Sequence, residues 1–237
     1  RSRRLSDAMR KLLYSDMRII DIAFDSGFES QESFTRAFKK VFDITPNEFR
    51  KLGEKNRFPE KIVFDADYLH HLDKNIQLQP EIVRQDDRLM VGMKTLFYGV
   101  DSEKNNFADK LPALWDEFLP RMDEIQARMN NKAFGIIQTQ KDTDSLEYYA
   151  ACEVTEKNGI QLPEGMVSLK IPSTSYAVFA HKGNLNHINN TVNYIYSSWL
   201  LQSEYWHTYG PDIEVYDDQF IPGSEGSIMY YSIPVKV

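Results

Sequence analysis

The chain has 237 residues, 27 % of them charged and 42 % hydrophobic, enough for one large domain or two modest ones with their own cores. No apolar run approaches the roughly 18 residues a membrane span needs, and Arg1-Ser2-Arg3-Arg4 leads into an amphipathic segment, not an apolar leader. The one cysteine, Cys152, excludes a disulfide framework within the chain and fits a reducing cytoplasm.

The net charge of −7 is unevenly spread. Residues 1–57 carry 13 Lys and Arg against 9 Asp and Glu, a net of +4, whereas the remainder carries 15 against 26, a net of −11. Such asymmetry points to different partners for the two segments.

In the first segment, Leu5, Ala8, Met9, Leu12 and Leu13 form one stripe of a 3.6-period helix. Ser15 or Asp16 can cap a short second helix that buries Ile19, Ile20, Ile22 and Ala23. Gly27 then supplies a positive φ for a tight turn. Ser30 is a candidate N-cap for a third helix, with Phe34, Ala37, Phe38, Val41 and Phe42 at helical spacing. In Thr45-Pro46-Asn47-Glu48, Thr45 takes the N-cap, Pro46 the first helical position and Glu48 the third, a capping box.

Residues 53–79 read as a linker, with a short strand conceivable at Ile62-Val63-Phe64. From Pro80 the texture changes. Residues 82–98 suggest one long or bent strand; Leu111, Leu114, Trp115, Phe118, Leu119 and Met122 mark an amphipathic helix; Phe134–Gln138 and Leu146–Val154 suggest two strands. Residues 166–180 read as a strand pair or one kinked strand. A helix follows with Ile188, Val192, Ile195, Tyr196, Trp199 and Leu200 on one face, then strands at Ile213–Tyr216 and Ser227–Val235. Residues 80–155 and 166–235 thus spell the same strand–helix–strand–strand order. The expected fold is an all-α helix-turn-helix segment followed by an α+β domain, a pseudo-twofold repeat with two helices on an antiparallel sheet.

Two short helices joined by a glycine turn suit a helix-turn-helix whose second helix enters the major groove of double-stranded DNA. Its outward face would carry Gln31, Glu32, Thr35, Arg36, Lys39 and Lys40, with hydrogen-bonding side chains at one end and phosphate-seeking cations at the other. A small helical bundle with a solvated charged face fits the same spacing. The run Ile19-Ile20-Asp21-Ile22-Ala23, Ser26-Gly27-Phe28-Glu29-Ser30-Gln31, Phe34-Thr35-Arg36-Ala37-Phe38-Lys39-Lys40 and Thr45-Pro46-Asn47-Glu48-Phe49-Arg50 resembles the second helix-turn-helix of AraC/XylS-family transcription regulators. That resemblance implies base contacts from Gln31, Glu32 and Thr35, with Arg36 at base or phosphate, and activation of transcription through RNA polymerase. It also makes Leu5–Leu13 the helix that connects two such motifs. The first motif has no counterpart in this chain, so weak and poorly specific DNA binding is expected. Glu32 departs from the neutral amide frequent in that family; a carboxylate can accept from cytosine N4 but repels phosphate.

In the second segment Glu214 draws interest. Strand alternation puts Ile213 and Val215 on one face and Glu214 with Tyr216 on the other. If both faces are covered, a carboxylate is buried among aromatics, costly unless it meets a cation; otherwise its face is solvated. Ser198-Trp199-Leu200, Pro211-Asp212-Ile213-Glu214-Val215-Tyr216, Ile233-Pro234-Val235, and Tyr176-Ala177-Val178-Phe179 followed by Gly183, resemble the GyrI-like effector-binding domain over residues 80–237. The resemblance implies that Glu214 lies in an aromatic-lined pocket between the repeats and pairs with small amphipathic or cationic, often drug-like, effectors, in a cytoplasmic regulator with residues 1–52 as a partial DNA-binding domain. Candidate lining residues are Trp199, Tyr98, Tyr149, Tyr216 and Tyr230, each of which suits core packing equally well. Aromatic faces attract delocalised cations.

His70, His71, His181, His187 and His207 are dispersed without a short metal-ligand pattern, so surface or local hydrogen-bonding roles are expected, and Cys152 and Trp115 read as core. There is no GxSxG and no nucleophile–base arrangement, and no cofactor is expected. Two other readings stay open: a GyrI-like hydrolase using Glu214 and a nearby Tyr as base and proton donor, and a protein-binding module.

Overall fold

The computed structural model describes residues 3–42, 44–54, 66–99, 104–140, 145–155, 161–208 and 210–237. Helices α1 (Arg3–Tyr14), α2 (Ile19–Asp25), α3 (Gln31–Phe42) and α4 (Pro46–Glu54) come first. Leu5, Ala8, Met9 and Leu12 of α1 pack with Ile22, Ala23, Phe34, Phe38 and Phe49 into one buried core. Phe38 is its hub, with ring centroids 5.6, 4.5 and 5.4 Å from Phe34, Phe42 and Phe49.

The local signals in this segment are realised as hydrogen bonds. Gly27, at φ 76°, ends α2: its N–H reaches the Phe24 carbonyl while the Phe28 N–H reaches Ala23, both at 2.9 Å, a Schellman closure. The Ser30 hydroxyl accepts from the Ser33 N–H at 3.1 Å and opens α3. At α4 the capping box forms in both directions, Glu48 Oε2 accepting from the Thr45 N–H at 2.7 Å and Thr45 Oγ1 from the Glu48 N–H at 3.3 Å.

Two details differ from the expectation. Neither Ser15 nor Asp16 caps α2. Ser15 Oγ donates backward to the Lys11 carbonyl at 2.6 Å and so finishes α1, and α2 opens at Arg18, whose guanidinium holds Asp21 in the first turn at 2.7 Å. Ile20 is exposed, because α2 is only seven residues long and its buried face is spent on Ile22 and Ala23.

The segment read as linker contains a helix, α5 (Ala66–Lys74); Ile62-Val63-Phe64 lies outside the described residues. The single strand expected over 82–98 is two, β1 (Glu81–Gln85) and β2 (Arg88–Tyr98), because Asp86-Asp87 interrupts the ladder. The remaining elements are α6 (Phe107–Phe118), β3 (Ala133–Thr139), β4 (Ser145–Val154), β5 (Val167–Ile171), β6 (Thr174–Lys182), α7 (Ile188–Tyr194), a π-helical stretch (Ile195–Trp199), α8 (Leu200–Gln202), β7 (Trp206–His207), β8 (Asp212–Tyr216) and β9 (Ile228–Lys236).

The strands form one antiparallel sheet in the order β1-β6-β9-β8-β3-β4-β2-β5, with β7 added at the end of β9. The order reads symmetrically about the β8–β3 pair, which places the pseudo-dyad there. Each edge is completed by the other repeat: β1 pairs β6 of the second half, and β5 pairs β2 of the first. Exchange of edge strands makes the two repeats one body. Helices α6 and α7–α8 cover one face, in a core with Phe97, Phe118, Tyr148, Phe179, Ile195, Tyr196 and Tyr231. On the other face the core among the described residues is made of strand side chains, including Phe134, Ile136, Tyr149, Tyr176 and Ile213.

Candidate functional site

On α3 the candidate DNA-reading side chains share the solvent face. Gln31, Glu32, Arg36, Lys39 and Lys40 are exposed and Thr35 is half-buried, while Phe34 and Phe38 point inward. Glu32 lies in the first turn, where its own backbone N–H, the Ser30 hydroxyl and the Arg36 charge hold its carboxyl below the usual range. A carboxylate there suits the helix macrodipole, which gives Glu32 a structural role independent of any base. Arg50 braces the unit from behind, donating to the Leu12 and Met17 carbonyls at 3.3 and 2.6 Å.

The second site is built on β8. Alternation along this strand turns Asp212, Glu214 and Tyr216 toward the helices and Ile213 and Val215 away. Glu214 is buried and accepts two hydroxyls on one oxygen: Tyr148 donates at 2.5 Å and Tyr216 at 2.9 Å. Trp115 Nε1 in turn donates to the Tyr148 oxygen at 3.0 Å. Glu214 has no ion-pair partner among the described residues. Burial pushes its pKa up, against the two tyrosine hydrogen bonds that lower it, with nearby Asp212 adding to the rise. Burial and the Glu214 charge push both tyrosine hydroxyls well above their ordinary range, which keeps them protonated donors. Trp115 and Tyr216 are each half-buried, their rings 5.2 Å apart and edge to face, so this pair forms the side of the site nearest solvent.

The arrangement recurs two residues earlier. Asp212 is fully buried and accepts from Tyr196 at 2.6 Å and Tyr231 at 2.9 Å, with His207 Nε2 at 3.2 Å from its other oxygen. Tyr148 of β4 and Tyr231 of β9 come from corresponding strands of the two repeats, and each donates its hydroxyl to a carboxylate of β8.

The structure therefore brings Glu214 and Tyr216 together but disperses the other candidates. Tyr149, Tyr230 and Tyr98 lie on the opposite face of the sheet, because their registers match Ile136, Val215 and Ser145, not Gly135, Glu214 and Leu146. Tyr149 donates to Glu147 at 2.9 Å, and Tyr230 accepts from the Gln219 amide at 3.2 Å. Trp199 belongs to the π-helical stretch, edge to face with Phe179 and stacked on Tyr205 at 5.9 Å. Trp115, expected as plain core, is a hydrogen-bond donor to the Glu214 cluster. Asp212, Tyr148, Tyr196 and Tyr231 are not among the sequence candidates, although Asp212 shares the face of Glu214 by the same alternation, while His207 has the local hydrogen-bonding role expected of it. Three dispersed histidines also converge: His71 of α5 and His181 both contact the Thr191 hydroxyl, at 2.8 and 2.7 Å, and His187 lies 6.5 Å from His71. Among the described residues no group of three or more His, Cys, Asp or Glu is placed to hold a metal ion.

Comparison with known proteins agrees with this two-part description. Residues 81–235 match the family described as integron-associated effector binding protein, and residues 1–52 match a helix-turn-helix domain. The transcriptional regulator BrlR of Pseudomonas aeruginosa is 36 % identical over 112 residues, 47 % of this chain and 41 % of BrlR. The right origin-binding protein of Escherichia coli K12 is 26 % identical over 221 residues, 91 % of this chain and 73 % of that protein. The chain spans less than half the length of the first curated relatives it matches. In fold, residues of this chain superpose on SAV2435 bound to tetraphenylphosphonium with a TM-score of 0.52 at 17 % identity, covering 67 % of this chain and 94 % of that one. A protein from Staphylococcus aureus MU50 gives 0.52 at 17 %, covering 68 % and 100 %. With the pseudo-twofold sheet, the β8 carboxylates and the match over most of its length, the chain belongs to the family of integron-associated effector binding proteins, here carried behind a helix-turn-helix domain.

Proposed function

We propose that this chain acts as a cytoplasmic DNA-binding transcription regulator whose C-terminal domain senses an amphipathic organic cation at Glu214. The observation that carries the reading is a buried carboxylate satisfied, among the described residues, by neutral hydroxyls alone. Two tyrosines supply hydrogen bonds but no counter-charge, so the cost of burying the anion is only partly offset. A cation entering past Tyr216 and Trp115 would supply that charge, and the same rings would hold it by their faces. The ligand of SAV2435, whose fold this domain shares, is an aromatic cation of this class. DNA is read by α3 in the major groove, Gln31 and Thr35 facing base edges and Arg36, Lys39 and Lys40 facing phosphate. We take the outcome to be activation through RNA polymerase, on the resemblance of the helix-turn-helix alone.

Titration of the chain with tetraphenylphosphonium, followed by tryptophan fluorescence, tests the sensor. Binding should weaken by about tenfold or more in Glu214→Gln, since about 1.4 kcal/mol corresponds to tenfold and a desolvated charge pair exceeds that. It should also weaken as the pH falls toward the raised pKa of Glu214, at values above the ordinary carboxylate range. Equal affinity in the two proteins would refute the reading.

A further inference from the structure

Between β1 with its preceding loop and the α7–α8 stretch runs a cleft of about 480 Å³, within the size range of small-molecule sites. One wall is aromatic: Trp199 and Tyr205 stand nearly parallel, 16° apart, with Tyr194 beside them. The opposite wall is Gln79, Pro80 and Ile82, where Ile82 is 40 % exposed. Tyr194 Oη donates to the Leu78 carbonyl at 3.0 Å and holds this wall against the helix. Among the described residues Glu204 is the one charged side chain that lines the cleft, and it is exposed with no ion-pair partner.

Its position is built by an irregularity in the fold. The helix leaves α geometry at Ile195–Trp199, a π-helical stretch that widens the turn and re-aims its side chains, and such stretches collect at functional sites. Ser198 and Trp199, both in that stretch, line the cleft. Immediately beyond it, the carbonyls of Ser203 and Tyr205 are held by Arg10 of α1, so the cleft ends at the joint between the two segments.

The geometry points to a binding site for a planar aromatic monocation, packed against the Trp199–Tyr205 stack with its charge toward Glu204. A delocalised cation fits an aromatic face and one solvated carboxylate; a neutral ring would forfeit the second contact and an anion would be repelled by it. The site uses none of the residues around Glu214, so the two readings stand or fall separately.

Equilibrium dialysis of the chain with rhodamine 6G, counting bound equivalents, decides it. Two equivalents are expected for the unaltered chain. Glu204→Gln, an exposed change that leaves the core untouched, should weaken the cleft equivalent about fivefold, as expected for a carboxylate in solvent worth about 1 kcal/mol. Trp199→Leu should remove it, and Glu214→Gln should retain it while losing the other. Binding by Glu204→Gln indistinguishable from the unaltered chain would overturn the cleft assignment. So would loss of all bound dye in Glu214→Gln alone, a result that leaves the Glu214 sensor intact. Dye retained in Glu214→Gln but lost in Glu204→Gln would support the cleft and count against the Glu214 sensor.

Discussion

Gly135 and Glu214 face each other across the β3–β8 ladder, and the missing side chain of the first makes room for the carboxylate of the second. A Cβ on Gly135 would lie 2.1 Å from the Tyr148 hydroxyl oxygen and 2.3 Å from Glu214 Oε2. Both atoms are buried and joined by a hydrogen bond, so neither can step aside without breaking it.

Gly135→Ala should therefore damage the Glu214 cluster from within. Overpacking of this kind typically costs about 1–3 kcal/mol, and here it also forces the Tyr148–Glu214 pair apart. Denaturant unfolding should show a lower midpoint with an unchanged slope. Tetraphenylphosphonium affinity should fall in parallel, because the displaced carboxylate no longer faces the Trp115–Tyr216 side. An unaltered midpoint would mean that the cluster has slack absent from this geometry.

The histidines set an acid limit on stability. The Thr191 hydroxyl has one hydrogen and lies between His71 Nε2 and His181 Nδ1, so it donates to one ring and accepts from the other. Burial, then the neighbouring His181 and His187, hold His71 down to about 4. Burial lowers His181 as well. A histidine whose folded pKa is depressed leaves the unfolded chain binding more protons, so its contribution is intact above about 6.5 and is lost as the pH falls toward 4. For His71 alone the loss reaches roughly 3 kcal/mol, at 1.36 kcal/mol per pKa unit. Unfolding curves at pH 7.5, 6 and 5 should show this decline, and His71→Gln, which keeps a donor for Thr191, should flatten it. A slope unchanged in that variant would place the acid sensitivity elsewhere.

DNA binding by α3 separates into positioning and reading. Lys39→Ala should lower affinity for every sequence and reduce the salt slope by about one counterion, whereas Gln31→Ala should cost about 1–3 kcal/mol on preferred sites and leave the slope alone. Fluorescence anisotropy at several salt concentrations measures both. Identical effects of the two changes across specific and random duplexes would argue against α3 as the reading helix.

How far the sequence was legible follows from how local each signal is. The capping box at Thr45–Glu48, the Schellman glycine and the Phe34–Phe38–Phe42 stripe depend on residues within one or two turns, and they appear in the structure as read. Glu214 with Tyr216 was legible for the same reason, two positions on one strand. The aromatic partners were not. The sequence offers Tyr149 where Tyr148 makes the contact, and Tyr230 where Tyr231 lies on that face. A displacement of one residue is the whole difference between the two faces of a strand, and only the pairing register, a long-range property, decides it. The histidine cluster is more distant still, since His71 meets Thr191 across 120 residues of sequence.

The joint between the segments gives the last prediction. Arg10 of α1 lays its guanidinium 3.6 Å over the Trp206 ring and donates to the Tyr205 carbonyl, while Leu201 of α8 packs against the helix-turn-helix core. Cation–π contact at a partly exposed ring contributes about 0.5–1 kcal/mol, and a hydrogen bond from a charged donor about 1.5–3 kcal/mol. These contacts tie α1 to a segment that begins one residue after α8, so an effector that shifts the α7–α8 stretch must move or strain them. Arg10→Ala should leave affinity at Glu214 and the fold of each segment unchanged but loosen their docking, read as a larger radius of gyration in small-angle scattering. Any change in DNA affinity that an effector produces in the unaltered chain should shrink with it, because coupling requires a contact whose free energy differs between the two states. Undiminished coupling in Arg10→Ala would show that the signal does not pass through the Arg10 contacts, leaving the packing of Leu201 on the helix-turn-helix core to carry it.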